Sequence, residues 1–317
     1  MDWFGAVVDG PLIVVRAIHF AATAVTAGCL VFRTVVAEPV LHSDQAAAKR
    51  LQGQTRRVAW IALAITIASA VPWLLVQAAA ISGQSFAEAM TSDVLLTVLN
   101  ETQFGLVFEI RIVLAIILAF CLACDRLPPA RWLALMTALG LTAAIAWTGH
   151  AGATMGEAGI LHLTADVLHL VAAAAWLGSL VSLAEFLGET RREPALASFA
   201  REVTRRFSVL GIAAVGTLLL TGIVNAWILV GAINALFVTG YGQLLTLKIC
   251  LFLVMLAFAA VNRLWLTPQL VAAGQRAPQP DPLRQLARNS GIEIALGLLI
   301  YAIVGMLGTL HPAIHFM

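Results

Sequence analysis

The stretch from Leu161 to Leu187 reads LHLTADVLHLVAAAAWLGSLVSLAEFL, an apolar run that carries His162, Asp166 and His169. It is long enough to cross a bilayer, which takes about 20 apolar residues. At about 100° per residue the three polar side chains lie within about 60° of one another on a helix, and Trp176 extends the same stripe. An ionisable group at the centre of a membrane helix costs about 2.5–3.5 kcal/mol on insertion scales, so three on one stripe require a polar partner in place of lipid. The stripe therefore lines a site, or its members satisfy one another in a wet crevice that holds no ligand.

The rest of the chain has the same character. Of its 317 residues 61% are hydrophobic and 11% charged, with a mean hydropathy of +0.92. Soluble domains carry about 25% charged residues. The composition thus excludes a soluble globular protein and points to an all-α, polytopic membrane protein whose surroundings are the lipid bilayer. Eight segments are apolar enough to span: 11–36, 58–80, 104–123, 131–150, 161–187, 207–231, 243–266 and 291–311. Short connections leave no room for a folded soluble domain, so residues 1–317 read as a single membrane domain. The net charge of +2 gives no support to a nucleic-acid partner. None of the four cysteines falls in a loop expected outside, so no disulfide framework is implied. The TAGC string ending at Cys29 resembles a lipoprotein cleavage site, but no Lys or Arg precedes Arg16, and the run itself contains Arg16 and His19. It reads as a retained helix and not as a signal peptide.

Basic residues orient the bundle. Arg33, Lys49, Arg50, Arg56, Arg57, Arg126, Arg131, Arg191, Arg192, Arg201, Arg205, Arg206, Arg263, Arg276, Arg284 and Arg288 fall in or beside the loops after spans one, three, five and seven. Loops 81–103, 151–160 and 232–242 contain no Lys or Arg. By the positive-inside rule both termini and these loops face outward, and only Arg16, Arg111 and Lys248 remain within the membrane. Residues 81–103 have partial helical spacing and fit either a helix along the outer surface or a loop. Residues 268–290, with Pro268, Pro278, Pro280 and Pro282, read as an irregular linker.

The two halves resemble each other. Span one has His19-Phe20 with Gly28 and Leu30 beyond; span five has His169-Leu170 with Gly178 and Leu180 at the same offsets. Span three opens Phe104-Gly105 and reaches Arg111; span seven opens Tyr241-Gly242 and reaches Lys248. Span two carries Trp73-Leu74-Leu75-Val76 and span six Trp227-Ile228-Leu229-Val230, while spans four and eight end on His150 and His311. Matches in the same order imply a parallel 4+4 duplication, 11–150 and 161–311, of the kind that recurs in transport folds.

Orientation then assigns depth. His19, His150, His162, His169, His311 and His315 all fall in or just beyond the outer half, and only His42 falls on the basic side. Glu109, Asp166, Asn225 and the three membrane cations share that outer layer. The charged groups read equally as an ion-pair network that fixes helix packing. Imidazole suits Cu, Zn, Fe or Ni, and a neighbouring carboxylate either ligates or orients a ring. A metal site is therefore expected in the outer third, drawn from His19, His150, His162, Asp166, His169, His311 and His315. There is no HExxH, no nucleophile constellation and no Gly-rich phosphate loop, so no enzymatic activity is expected. Met155, Met306 and Met317 are isolated, and the Cys121/Cys124 pair on an apolar helix reads first as packing.

The strings RAIHFAATAVTAG (16–28), TGHAG (148–152), DVLHLVAAAAWLGSL (166–180), VNR (261–263) and GTLHP (308–312) together resemble the copper resistance protein D (CopD/PcoD) family of bacterial inner-membrane proteins. The resemblance covers essentially the whole chain. It implies an eight-span protein that takes copper from the periplasm and moves it toward the cytoplasm, with a separate periplasmic copper-binding protein of the CopC type as partner. A second reading is a haem b protein, with His19 and His169, or His150 and His311, as axial pairs and the arginines meeting propionates. A third is a structural or signalling bundle whose polar layer binds nothing.

Overall fold

The computed structural model describes residues 2–3, 6–7, 10–41, 44–125, 127–192, 196–272 and 282–316. His42 lies outside these residues. Apart from a two-residue antiparallel pairing of Asp2–Trp3 with Ala6–Val7, the described chain consists of helices and the turns between them. Eight helices are long and apolar enough to cross a membrane: Gly10–Leu41, Gln45–Ser82, Gln103–Ala123, Pro128–Thr148, Gly156–Thr190, Phe199–Val230, Gly240–Leu270 and Pro282–Leu307. They are spans one to eight, and each coincides with an expected segment.

Several spans run farther on the basic side than their apolar cores, because capping and not hydropathy decides where a helix begins. Asp44 starts span two, its Oδ1 accepting the Ala46 and Ala47 N–H groups at 3.0 Å. Span eight starts on Pro282, where a missing N–H costs nothing. The linker expected over 268–290 is accordingly helical to Ala272 and again from Pro282, and 273–281 lie outside the described residues. The outer segment 81–103 forms two short helices, Phe86–Ala89 and Ser92–Glu101. The first has a capping box between Ser85 and Glu88. The second packs Val94, Leu95, Val98 and Leu99 against a cluster that contains Trp73 and Phe104.

Span one is the axis of the bundle: 83% of its apolar window is enclosed, against 6% for span seven. It packs on spans two, five and eight. It crosses span five closely where Gly28 meets Gly178: a methyl group on Gly28 would overlap the backbone of Gly178, and one on Gly178 the backbone of Ala24. Ser179 Oγ donates to the Gly28 carbonyl at 2.7 Å across this crossing. Spans one, five and seven each contain a π-helical turn, at Phe32–Ala37, Ala174–Gly178 and Asn262–Leu266. Span three pairs with four, six leans on five, and seven on eight. Residues such as Phe120, Leu220 and Ile223, exposed by 70%, 70% and 67%, form the lipid-facing surface.

At the basic end, side chains of spans one and four and of the turn between spans three and four form a charge cluster around Arg33. Arg33, 2% exposed, contacts Asp125 at 2.7 Å and Glu38 at 2.9 Å, and Arg131 reaches Glu38 at 3.4 Å. Between spans seven and eight Asn289 Nδ2 donates to Asn262 Oδ1 and Asn262 Nδ2 to Glu293 Oε1, both at 2.7 Å.

Candidate functional site

A cavity of about 390 Å³ lies among spans five to eight and is closed on one side by residues of spans one and four. Its walls include His150, His162, Asp166 and His169, four of the seven expected ligands, together with Arg16, Asn225, Tyr241 and Lys248. The rest of the lining is mostly apolar, Trp176, Phe252 and Leu218 among it. The helical stripe is thus real, and it faces this cavity.

Partners from other helices fix each imidazole. Thr221 Oγ1 donates to the Thr217 carbonyl at 2.6 Å, so at its 2.9 Å contact with His169 it receives the Nδ1 proton. Thr154 Oγ1 likewise donates to the His150 carbonyl and lies 2.8 Å from His162 Nδ1. His150 turns its Nε2 to the Leu307 carbonyl at 3.2 Å, which accepts only a proton. In all three rings one nitrogen is anchored as a donor, and among the described residues the other, Nε2 of His162 and His169 and Nδ1 of His150, has no hydrogen-bond partner. Metal-binding histidines are held in this way, with the second nitrogen fixing tautomer and ring orientation.

Asp166 Oδ1 accepts from Asn225 Nδ2 at 3.2 Å, and Lys248 acts electrostatically on both Asp166 and His169. The Asn225 Oδ1 and the Arg16 Nε are buried without a hydrogen-bond partner. Arg16 stacks over Phe20, 5.4 Å from the ring centroid. His311 and His315 are exposed beside the cavity, close enough to act on His150. Burial, with a smaller contribution from these neighbours and Arg16, holds His150 below the ordinary histidine value.

His19 stands apart. It lines a second cavity of about 110 Å³ with Thr66, Trp73 and Arg111. Arg111, a donor only, approaches His19 Nε2 at 2.5 Å, while Nδ1 faces Ser69 Oγ at 2.9 Å. The single lone pair of the neutral ring is therefore occupied. Trp73 packs on the imidazole with ring centroids 4.7 Å apart, and Arg111 also donates to the Leu141 carbonyl. Among the described residues no three His, Cys, Asp or Glu side chains stand close enough together to hold one metal ion. Of the charged residues placed in the outer layer, Glu109 is exposed. The anchors Thr154, Thr221 and Ser69 and the wall residue Tyr241 were missed in the sequence; only the Phe104/Tyr241 correspondence hinted at one of them.

Fold and site together define an eight-span membrane protein with a cavity of histidines and a carboxylate opening between its helices. The family comparisons make that class specific. The model described as copper resistance protein D-like, N-terminal domain, matches residues 7–160, and that of copper resistance protein D matches 201–307; the chain belongs to the copper resistance protein D family. It is 29% identical to copper resistance protein D of Pseudomonas syringae pv. tomato over 67% of this chain and 70% of that one. Inner membrane protein YebZ of Escherichia coli (strain K12) is also 29% identical, over 95% of this chain and 98% of that one. Copper transport protein CutJ of Bacillus subtilis (strain 168) is 29% identical over 78% of this chain, which spans 45% of that protein's length. No solved structure matches.

Proposed function

We propose that this protein accepts copper at the outer face of a bacterial inner membrane, through the cavity lined by His150, His162 and His169, and passes it toward the cytoplasm. The observation that carries the reading is the trio His150, His162 and His169, each anchored through one ring nitrogen and presenting the other, with Asp166 on the same stripe. Family membership and the copper-transport name of a relative support copper as the cargo. His311 and His315 receive the ion at the mouth, from solution or from a separate CopC-type protein. Asp166 ligates or orients an imidazole, and no catalysis is assigned. Both termini lie on the periplasmic side. Nothing favours haem b: His19, half of one axial pair, has its lone pair taken by Arg111.

We also read the chain as two related halves. His19 with Ser69 and His169 with Thr221 are matching contacts between the first two helices of each half. Thr102 caps Gly105 and Thr239 caps Gly242, each at 3.0 Å. The correspondence does not extend to Trp73, which is 1% exposed, and Trp227, which is 77% exposed.

Copper stoichiometry and affinity on membrane-extracted variants test the assignment. His169→Ala is expected to weaken binding at least as much as Asp166→Asn, for which a loss of about 10–100-fold is expected, and His19→Ala to weaken it least. Unchanged binding in both His162→Ala and His169→Ala would overturn it.

A further inference from the structure

On spans seven and eight the cavity residues nearest the basic end are Met255 and Ile300, 0% and 8% exposed. Farther toward that end stand Asn262, seven residues after Met255, and Glu293, seven before Ile300. Seven residues of α-helix turn through about 700°, nearly two full circles, and rise ~10 Å. Asn262 and Glu293 therefore share the helix faces of the cavity wall, two turns beneath its apolar floor. There they meet: Asn262 donates to Glu293 and accepts from Asn289, one turn lower on span eight. Asn262 opens the π turn of span seven and belongs to the VNR string at 261–263, which the copper cavity leaves unused.

Glu293 and Asn289 are 1% and 3% exposed. Among the described residues Glu293 has no ion pair within 4.0 Å. The cations at this end of the neighbouring elements are engaged elsewhere or face outward. Arg263 is exposed and donates to Ser208 Oγ of span six, Arg284 and Arg288 of span eight itself are exposed, and Arg33 of span one is held by Asp125 and Glu38. Of the other titratable groups there, Cys29 of span one donates to the Thr26 carbonyl, Glu185 of span five is exposed and Glu189 pairs with Arg192. The segment Thr267–Ala272 has none.

A carboxylate paired with Arg or Lys is held ionised. One met by carboxamides is free to change state, because each amide is donor and acceptor at once. Ionised, Glu293 accepts from Asn262 Nδ2. Protonated, it donates to Asn262 Oδ1 once the two amides turn over, and Asn262 Nδ2 then donates to Asn289 Oδ1. The number of hydrogen bonds is the same in both states. Ionisable groups placed in this way within membrane spans serve as proton relays.

We propose that Glu293, with Asn262 and Asn289 as its amide partners, is a proton-binding site beneath the cavity floor, and that its gain and loss of a proton is coupled to passage of the metal from the cavity toward the basic side. The coupling rests on the copper-transport reading; the proton site does not.

Infrared spectroscopy of the purified full-length protein over a pH titration tests the site. A protonated-carboxyl C=O band present in the native protein and missing from Glu293→Gln is expected to fade as pH rises. Asn289→Leu, which keeps the carboxyl and takes away the second amide, is expected to shift the pH at which the band fades, and it decides the matter should Glu293→Gln fail to accumulate. Native and Glu293→Gln spectra that coincide at every pH, or a titration unmoved in Asn289→Leu, would overturn the proposal. So would a saturable stabilisation by Na⁺ over K⁺ at equal ionic strength that Glu293→Gln abolishes, since the site would then hold a metal cation. Copper uptake into vesicles tests the coupling. The native rate is expected to respond to an imposed pH difference, and Glu293→Gln to lose that response with its copper stoichiometry intact. Native uptake that ignores the pH difference overturns the coupling, whereas no native uptake beside an intact infrared titration is a failure of the copper-transport reading and not of the proton site.

Discussion

Whether an imidazole can receive a metal depends on what its lone pair already faces. His19 and His169 hold the same position in the two matching strings, and each turns Nδ1 to a hydroxyl on the next span. The third neighbour separates them: Arg111 fills the lone pair of His19, whereas Lys248 acts on His169 without contacting it. The glycine crossing is equally specific. Gly28→Ala would drive a methyl group into the backbone of Gly178, and overpacking of this kind costs roughly 1–3 kcal/mol. Thermal unfolding of the detergent-purified protein should register that loss, while Gly188→Ala, which meets nothing within 4 Å, should leave the transition in place. The polar stripe was legible in the sequence because helical periodicity is a local property of span five. Which nitrogens stay free was not, since Thr154, Thr221 and Arg111 approach from other helices.

Helices as elements were legible through hydropathy, and their ends were not. Apolar runs marked the eight spans, but Asp44 and Pro282 start helices well before those runs begin. Arg33 belonged to a basic loop by pattern, yet it is buried, because Asp125 and Glu38 converge on it from neighbouring elements. Removing one partner of a buried ion pair leaves the other uncompensated, at about 3–5 kcal/mol. Asp125→Ala should therefore lower the unfolding temperature sharply or prevent accumulation in the membrane. The exposed Arg205–Glu202 pair is of the kind worth about 0–1 kcal/mol, so Glu202→Ala should scarcely change the transition.

At the scale of the molecule, the basic residues place Met155 and Gly188 on opposite sides of the membrane. Met155 is 90% exposed, so in a background without the native cysteines Met155→Cys should react with an impermeant maleimide in intact cells, and Gly188→Cys only after permeabilisation. The reverse pattern would invert the bundle and carry the cavity with it. Span five also carries more than a polar stripe. Its π turn at Ala174–Gly178 separates His162, Asp166 and His169 from the crossing at Gly178. Such a turn holds one residue more than the α-helix around it, and a residue of α-helix advances about 100°. Deleting one residue there would leave the lower half of the helix clamped to span one and swing the upper half by about that angle, away from the cavity. The extra residue sets an azimuth: it chooses which wall of the bundle the histidines face, independently of how the two central helices are joined.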